Sequence, residues 1–118
     1  MGRSKPFRAT AVVVEDDAIQ RDMIALLLEE SEFEVIQCED AETASLAIKM
    51  RHPSFLITDV RLSGKMDGVQ LARFARQQYP SMRVVVISGQ APSSALPDGV
   101  RFLSKPFYPT TLLREAAR

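Results

Sequence analysis

Phe55-Leu56-Ile57-Thr58 is a run of bulky and β-branched residues with Pro53 before it and Ser63-Gly64 after it. A run this short, without polar alternation and bounded by breakers, reads as a strand buried on both faces of a parallel sheet. It ends on an acid, Asp59. In open parallel sheets, reactive groups collect in the crevice beyond the carboxyl ends of the strands. A single acid at a strand end also serves as a helix cap or turn former. The two readings separate only if other strands bring partners to the same edge.

Taken in order, the chain supplies more such strands. Ala9 to Val14 is a β-branched first strand that stops at three acids, Glu15-Asp16-Asp17. Ile19, Met23, Ile24, Leu27 and Leu28 then recur at helical spacing, which predicts a helix from about Asp17 to Ser31. One acid suffices to cap it. Three against a buried strand repel one another, and a cation would relieve that cost. Phe33 to Cys38 predicts a second strand nearer the sheet edge. Asp40-Ala41-Glu42-Thr43 opens a second helix with a capping-box pattern, stopped by Pro53. A loop from Leu62 to Gly68 leads into a third helix, Val69 to Tyr79, ended by Pro80. Arg83 to Ser88 is a fourth buried strand, followed by Gly89.

Residues 89–99 break the rhythm. Pro92 and Pro97 leave room for one helical turn at most. A fifth strand, Val100 to Ser104, precedes Lys105-Pro106-Phe107 and a short final helix beginning near Pro109 or Thr110. Strand and helix alternate, so the expected fold is a doubly wound, three-layer α/β/α domain around five parallel strands.

At 118 residues the chain is the size of one domain, with residues 1–8 as a solvated lead-in. Fifteen basic residues balance fifteen acidic ones, so no net field draws the chain to nucleic acid or an anionic membrane. No segment reaches transmembrane length and none resembles a signal peptide. Cys38 is the only cysteine, which excludes disulfide frameworks and multi-cysteine zinc sites and makes the cytoplasm the expected compartment. His52 is the only histidine and reads as a surface loop residue.

The ends of the first, third, fourth and fifth strands carry Glu15-Asp16, Asp59, Ser88 and Lys105. Carboxylates with backbone oxygens form a hard-oxygen site suited to Mg²⁺. A carboxylate there is placed to attack phosphorus in line while metal and ammonium neutralise the phosphoryl oxygens. Four such residues at four strand ends share no dull explanation easily.

With Val-Val-Val-Glu-Asp-Asp, Ile-Thr-Asp-Val-Arg-Leu, Met-Asp-Gly, Val-Ile-Ser-Gly and Ser-Lys-Pro-Phe in this order, the whole chain resembles the receiver domain of two-component response regulators. The resemblance implies the flavodoxin-like strand order 2-1-3-4-5. It implies that Asp59 is the phosphoacceptor, served by a histidine kinase or phosphotransfer protein, and that a downstream protein reads the result. Asp16 would bind Mg²⁺ directly, Glu15 through water, and Asp59 and the backbone carbonyl of Arg61 would complete the set. Lys105 would contact the phosphate across a cis bond to Pro106, Ser88 would move onto it, and Phe102 would follow inward. Asp17 matches no required position and is expected to be a cap.

Three departures stand out. The family's fourth helix is short or absent, which alters the usual output surface. Phe102 lacks the hydroxyl of the tyrosine often found there. The loop after Asp59 is one residue longer, with Lys65 between Gly64 and Met66. Arg61 and Gln90 sit where the family tunes dephosphorylation. An unphosphorylated scaffold is a competing reading. A Mg²⁺ phosphohydrolase is another, but Arg61 stands where such enzymes carry a second acid. The chain is therefore expected to be a switch and not an enzyme, with room for membership of a larger regulator or hybrid kinase.

Overall fold

The computed structural model describes residues 8–93 and 95–117. The elements run β1 (Thr10–Val14), α1 (Ala18–Glu30), β2 (Glu34–Cys38), α2 (Ala41–Arg51), β3 (Phe55–Asp59), α3 (Gly68–Gln78), β4 (Arg83–Ser88), β5 (Val100–Ser104) and α4 (Pro109–Ala117). The five strands form one parallel sheet in the order β2-β1-β3-β4-β5. Residues 1–7 of the expected lead-in lie outside the described residues.

Alternation along the central strands builds two cores. Val12, Val14, Leu56, Val84 and Val86 face α2 and α3, which contribute Ile48, Leu71 and the fully buried Ala41, Ala44, Ala72 and Ala75. Val13, Phe55, Ile57, Val85 and Ile87 face α1 and α4, which contribute Ile24, Leu28, Leu112 and Ala116. Each large aliphatic side chain buried this way contributes roughly 1.5–3 kcal/mol. Both faces of β1, β3 and β4 are therefore apolar, the reason these strands lack polar alternation.

Local chemistry sets the helix ends. Asp17 caps α1, its carboxylate accepting from Gln20 N at 3.1 Å. Asp40 caps α2 through Thr43 N at 2.7 Å, and His52 closes that helix in the left-handed region before Pro53. The capping-box expectation at α2 needs correction. The reciprocal box belongs to α3, between Asp67 and Gln70; at α2 the residue in the partner position is Thr43, whose backbone N–H donates to the Asp40 carboxylate. Between β4 and β5 no helix forms among the described residues. Residues 89–93 and 95–99 are non-helical, and half-buried Leu96 packs against the core shared by α2 and α3.

Candidate functional site

The parallel order brings the carboxyl ends of β1, β3, β4 and β5 to one edge, and Glu15, Asp59, Ser88 and Lys105 with them. Asp59 pairs in register with Ile87, and Ser88 with Ser104. Lys105 N then donates to Ser88 O at 2.8 Å, which carries the Lys105 side chain back over the edge. The Lys105–Pro106 peptide is cis, as anticipated.

The ammonium of Lys105 donates to Asp59 Oδ2 at 3.2 Å, Glu15 Oε1 at 3.0 Å and Gln20 Oε1 at 2.8 Å. Glu15 is only 1 % exposed. Its other oxygen accepts from Asp17 N at 3.2 Å, and its backbone carbonyl accepts from Arg21 Nη1 at 2.8 Å. Burial pushes the Glu15 carboxyl above the usual carboxylate range, against the hydrogen bonds from Lys105 and Asp17 N; the charge of Asp59 pushes the same way. Desolvation opposes the charge on Lys105, but its bonds to Glu15 and Asp59 outweigh this and hold its pKa above the ordinary lysine value.

Glu15, exposed Asp16 and Asp59 bring carboxylate oxygens within 4.8 Å of one another. Asp59, Arg61, Ser88, Gly89, Gln90 and Lys105 line a cleft of about 220 Å³. Ser88 is buried, and its Oγ accepts from Gln90 N at 3.2 Å. Arg61 lies just past β3, and its guanidinium crosses the cleft to Gln90 Oε1 at 3.3 Å.

A family model described as the response regulator receiver domain matches residues 11–117. The chain belongs to that family. This receiver is 30% identical over 109 residues to the response regulator receiver protein CpdR of Brucella abortus, covering 88% of this chain and 90% of that one. A receiver protein structure from Sinorhizobium medicae shares 30% identity, with a TM-score of 0.85 and 93% and 92% of the two chains covered. The receiver domain of the hybrid histidine kinase CckA shares 31% identity, with a TM-score of 0.79 over 92% and 96%. Other relatives are longer. The chain spans 19% of the two-component response regulator ARR21 of Arabidopsis thaliana and 23% of the hydrogenase regulator HoxA of Cupriavidus necator.

Within the receiver, Phe102 sits on β5 opposite Val86, half-buried in the core under α2 and α3. Asp17 is the cap and no member of the acidic cluster. Sequence reasoning missed three supporting residues. Gln20 read only as a polar position of α1. Glu42 Oε2 accepts from Lys65 N at 3.0 Å and Met66 N at 2.9 Å, holding the lengthened loop after Asp59. Gly68 lies so close that an added Cβ would stand 1.8 Å from the Asp59 carbonyl oxygen. The Met-Asp-Gly motif was a signal for Gly68; nothing local pointed to the other two. Among the described residues no helix is long and apolar enough to cross a membrane.

Proposed function

We propose that this receiver takes a phosphoryl group onto Asp59 from a histidine kinase or phosphotransfer protein and thereby switches its binding to a downstream protein. The observation that carries the reading is the placement of Asp59 in an open cleft with an ammonium 3.2 Å from its Oδ2. An oxygen of Asp59 forms the O–P bond as the donor's P–N bond breaks, and the electron pair leaves on the imidazole nitrogen. Lys105 neutralises phosphoryl oxygens as charge builds on them. The Ser88 hydroxyl, at the cleft wall, turns from Gln90 N to donate to the phosphoryl group.

The donor set fits Mg²⁺, because three carboxylates converge and exposed Asp16 leaves room for the waters this ion retains. Glu15, Asp16, Asp59 and the carbonyl of Arg61 would hold it. Bound there, Mg²⁺ supplies positive charge against the phosphoryl oxygens. The chain gains and loses its own phosphoryl group and turns over no separate substrate. Phe102 moves inward as Ser88 shifts, and the 89–99 crossover carries the change to the partner, with no direct part for nucleic acid or membrane.

Phosphoramidate with Mg²⁺ should add the mass of one phosphoryl group to the wild type and none to Asp59→Ala. Amide spectra with beryllofluoride should then shift at Ser88, Lys105 and the crossover. Labelling that survives in Asp59→Ala would overturn the assignment.

A further inference from the structure

Lys105 has three N–H donors, and all three are engaged: by Glu15, by Asp59 and by Gln20. The shortest bond, 2.8 Å, goes to the one neutral partner. Glu15 and Asp59 both belong to the acidic cluster, so their oxygens are also claimed by a cation or a phosphoryl group. The amide of Gln20 changes neither charge nor ligands in those events. Its backbone is fixed as well, because Gln20 N is the donor that Asp17 caps in the first turn of α1. Gln20 and Lys105 further share a groove of about 420 Å³ whose other lining residues are Met23, Ile24, Leu27, Pro106, Phe107 and Pro109. None of those side chains offers the amide oxygen an alternative donor.

We propose that Gln20 is a positioning residue whose amide oxygen anchors the Lys105 ammonium at Asp59 while the surrounding carboxylates exchange partners. The inference rests on the reading of Asp59 as phosphoacceptor. A lysine ammonium on a flexible four-carbon stem loses orientation when one of its partners goes. Transfer then slows because the charge that must meet the phosphoryl oxygens is held in place less of the time.

The test compares wild type, Gln20→Met, which keeps length and helix propensity but removes the strong acceptor, and Gln20→Glu, which restores an oxygen at the same reach. Gln20 is exposed, so all three should fold alike, which thermal melting checks. Two quantities are read: proton exchange of the Lys105 ammonium by ¹⁵N NMR, and the rate of labelling by phosphoramidate at saturating Mg²⁺. Gln20→Met should speed the exchange and slow labelling about 3- to 10-fold, the loss expected for one charge-assisted hydrogen bond near the surface. Gln20→Glu should restore the exchange to near the wild-type rate. Unchanged exchange in Gln20→Met, unchanged labelling in that variant, or failure of Gln20→Glu to restore the exchange overturns the role of Gln20. A wild type that takes no label overturns the phosphoacceptor reading instead, and the exchange comparison then decides about Gln20 by itself.

Discussion

Two connections leave the sheet edge beside the acidic cluster, and their hydrogen bonds are distributed differently. The segment between β3 and α3 is pinned along its length. Val60 N bonds to Ile87 O, Gly68 N bonds to Val60 O, Glu42 takes the N–H groups of Lys65 and Met66, and the Asp67–Gln70 box opens α3. Gly68 presses directly on the Asp59 carbonyl. Among the described residues, the hydrogen bonds that tie the crossover between β4 and β5 lie near its two ends, with Val100 N donating to Pro97 O at 3.2 Å. Gln90 meets Ser88 and Arg61 at the start. At the far end Arg76 reaches the Asp98 carbonyl while also holding those of Pro80 and Met82. Bonds spread along the β3–α3 segment fix the acid, whereas a crossover whose bonds lie near its ends can open between them at small cost. The switch proposed above would need both a fixed acceptor and a neighbour free to answer it.

The largest break in this contrast should come from Gly68→Ala. The new methyl meets backbone and not a flexible side-chain tip, so relief requires moving the Asp59 peptide or the start of α3. We expect a loss of about 3 kcal/mol or more in denaturant unfolding. Wild-type stability in this variant would mean that the β3–α3 segment is not pinned as described.

Arg76→Met should act on the other connection. It strips the partner from three carbonyls, at a cost of about 2 kcal/mol. Amide hydrogen exchange should rise around residues 95–99 and stay unchanged around 62–67. Equal acceleration in both segments would erase the distinction.

Mg²⁺ should sharpen the contrast from the side of the site. Burial raises the Glu15 pKa above its ordinary 4.5. Its stabilising effect is complete below about that pH and is lost as pH rises through the folded-state value. The metal-free protein should therefore weaken across the mildly acidic range, and a cation that prefers the ionised carboxylate should bind better as pH rises. At about ten times its Kd, Mg²⁺ should add about 1.4 kcal/mol. With the Mg²⁺ concentration set by the Kd at pH 7 and held constant, the gain in melting temperature should be larger at pH 7 than at pH 5; the reverse order would argue against Glu15 in the metal set.

Glu42→Ala should have the smallest effect, about 0.5–1 kcal/mol, because its two bonds are exposed. Its signature is local: faster exchange at Lys65 and Met66, with the 89–99 crossover unaffected. A response confined to the crossover would contradict the assignment of Glu42.

Much of the fold was legible because its cues act over a few residues. The β-branched runs Val12–Val14 and Val84–Ile87 mark strands buried on both faces, Asp17 and Asp40 mark helix starts, and Pro53 and Pro80 mark stops. Pro92 and Pro97 rule out a full helix between β4 and β5. The site was legible as a set of strand ends carrying Glu15, Asp59, Ser88 and Lys105, and the family motifs named its members. The capping-box pattern at Asp40 misled because the third helical position there is Thr43, which has no Glu or Gln side chain to reach back to the cap, whereas at α3 that position is Gln70.

By itself, then, the sequence determined which segments are strands and which helices, that the sheet is parallel, and which chemical groups end the strands. Only the tertiary structure decided the rest. Lys105 reaches Glu15 across 90 positions and Gln20 across 85, Arg61 meets Gln90 across 29, and Arg76 meets Asp98 across 22. Capping and periodicity arise between residues a turn or two apart, so they are written locally. Which oxygen a given ammonium or guanidinium finds depends on where the folded strands set their ends in space, and that placement exists only once both cores have closed.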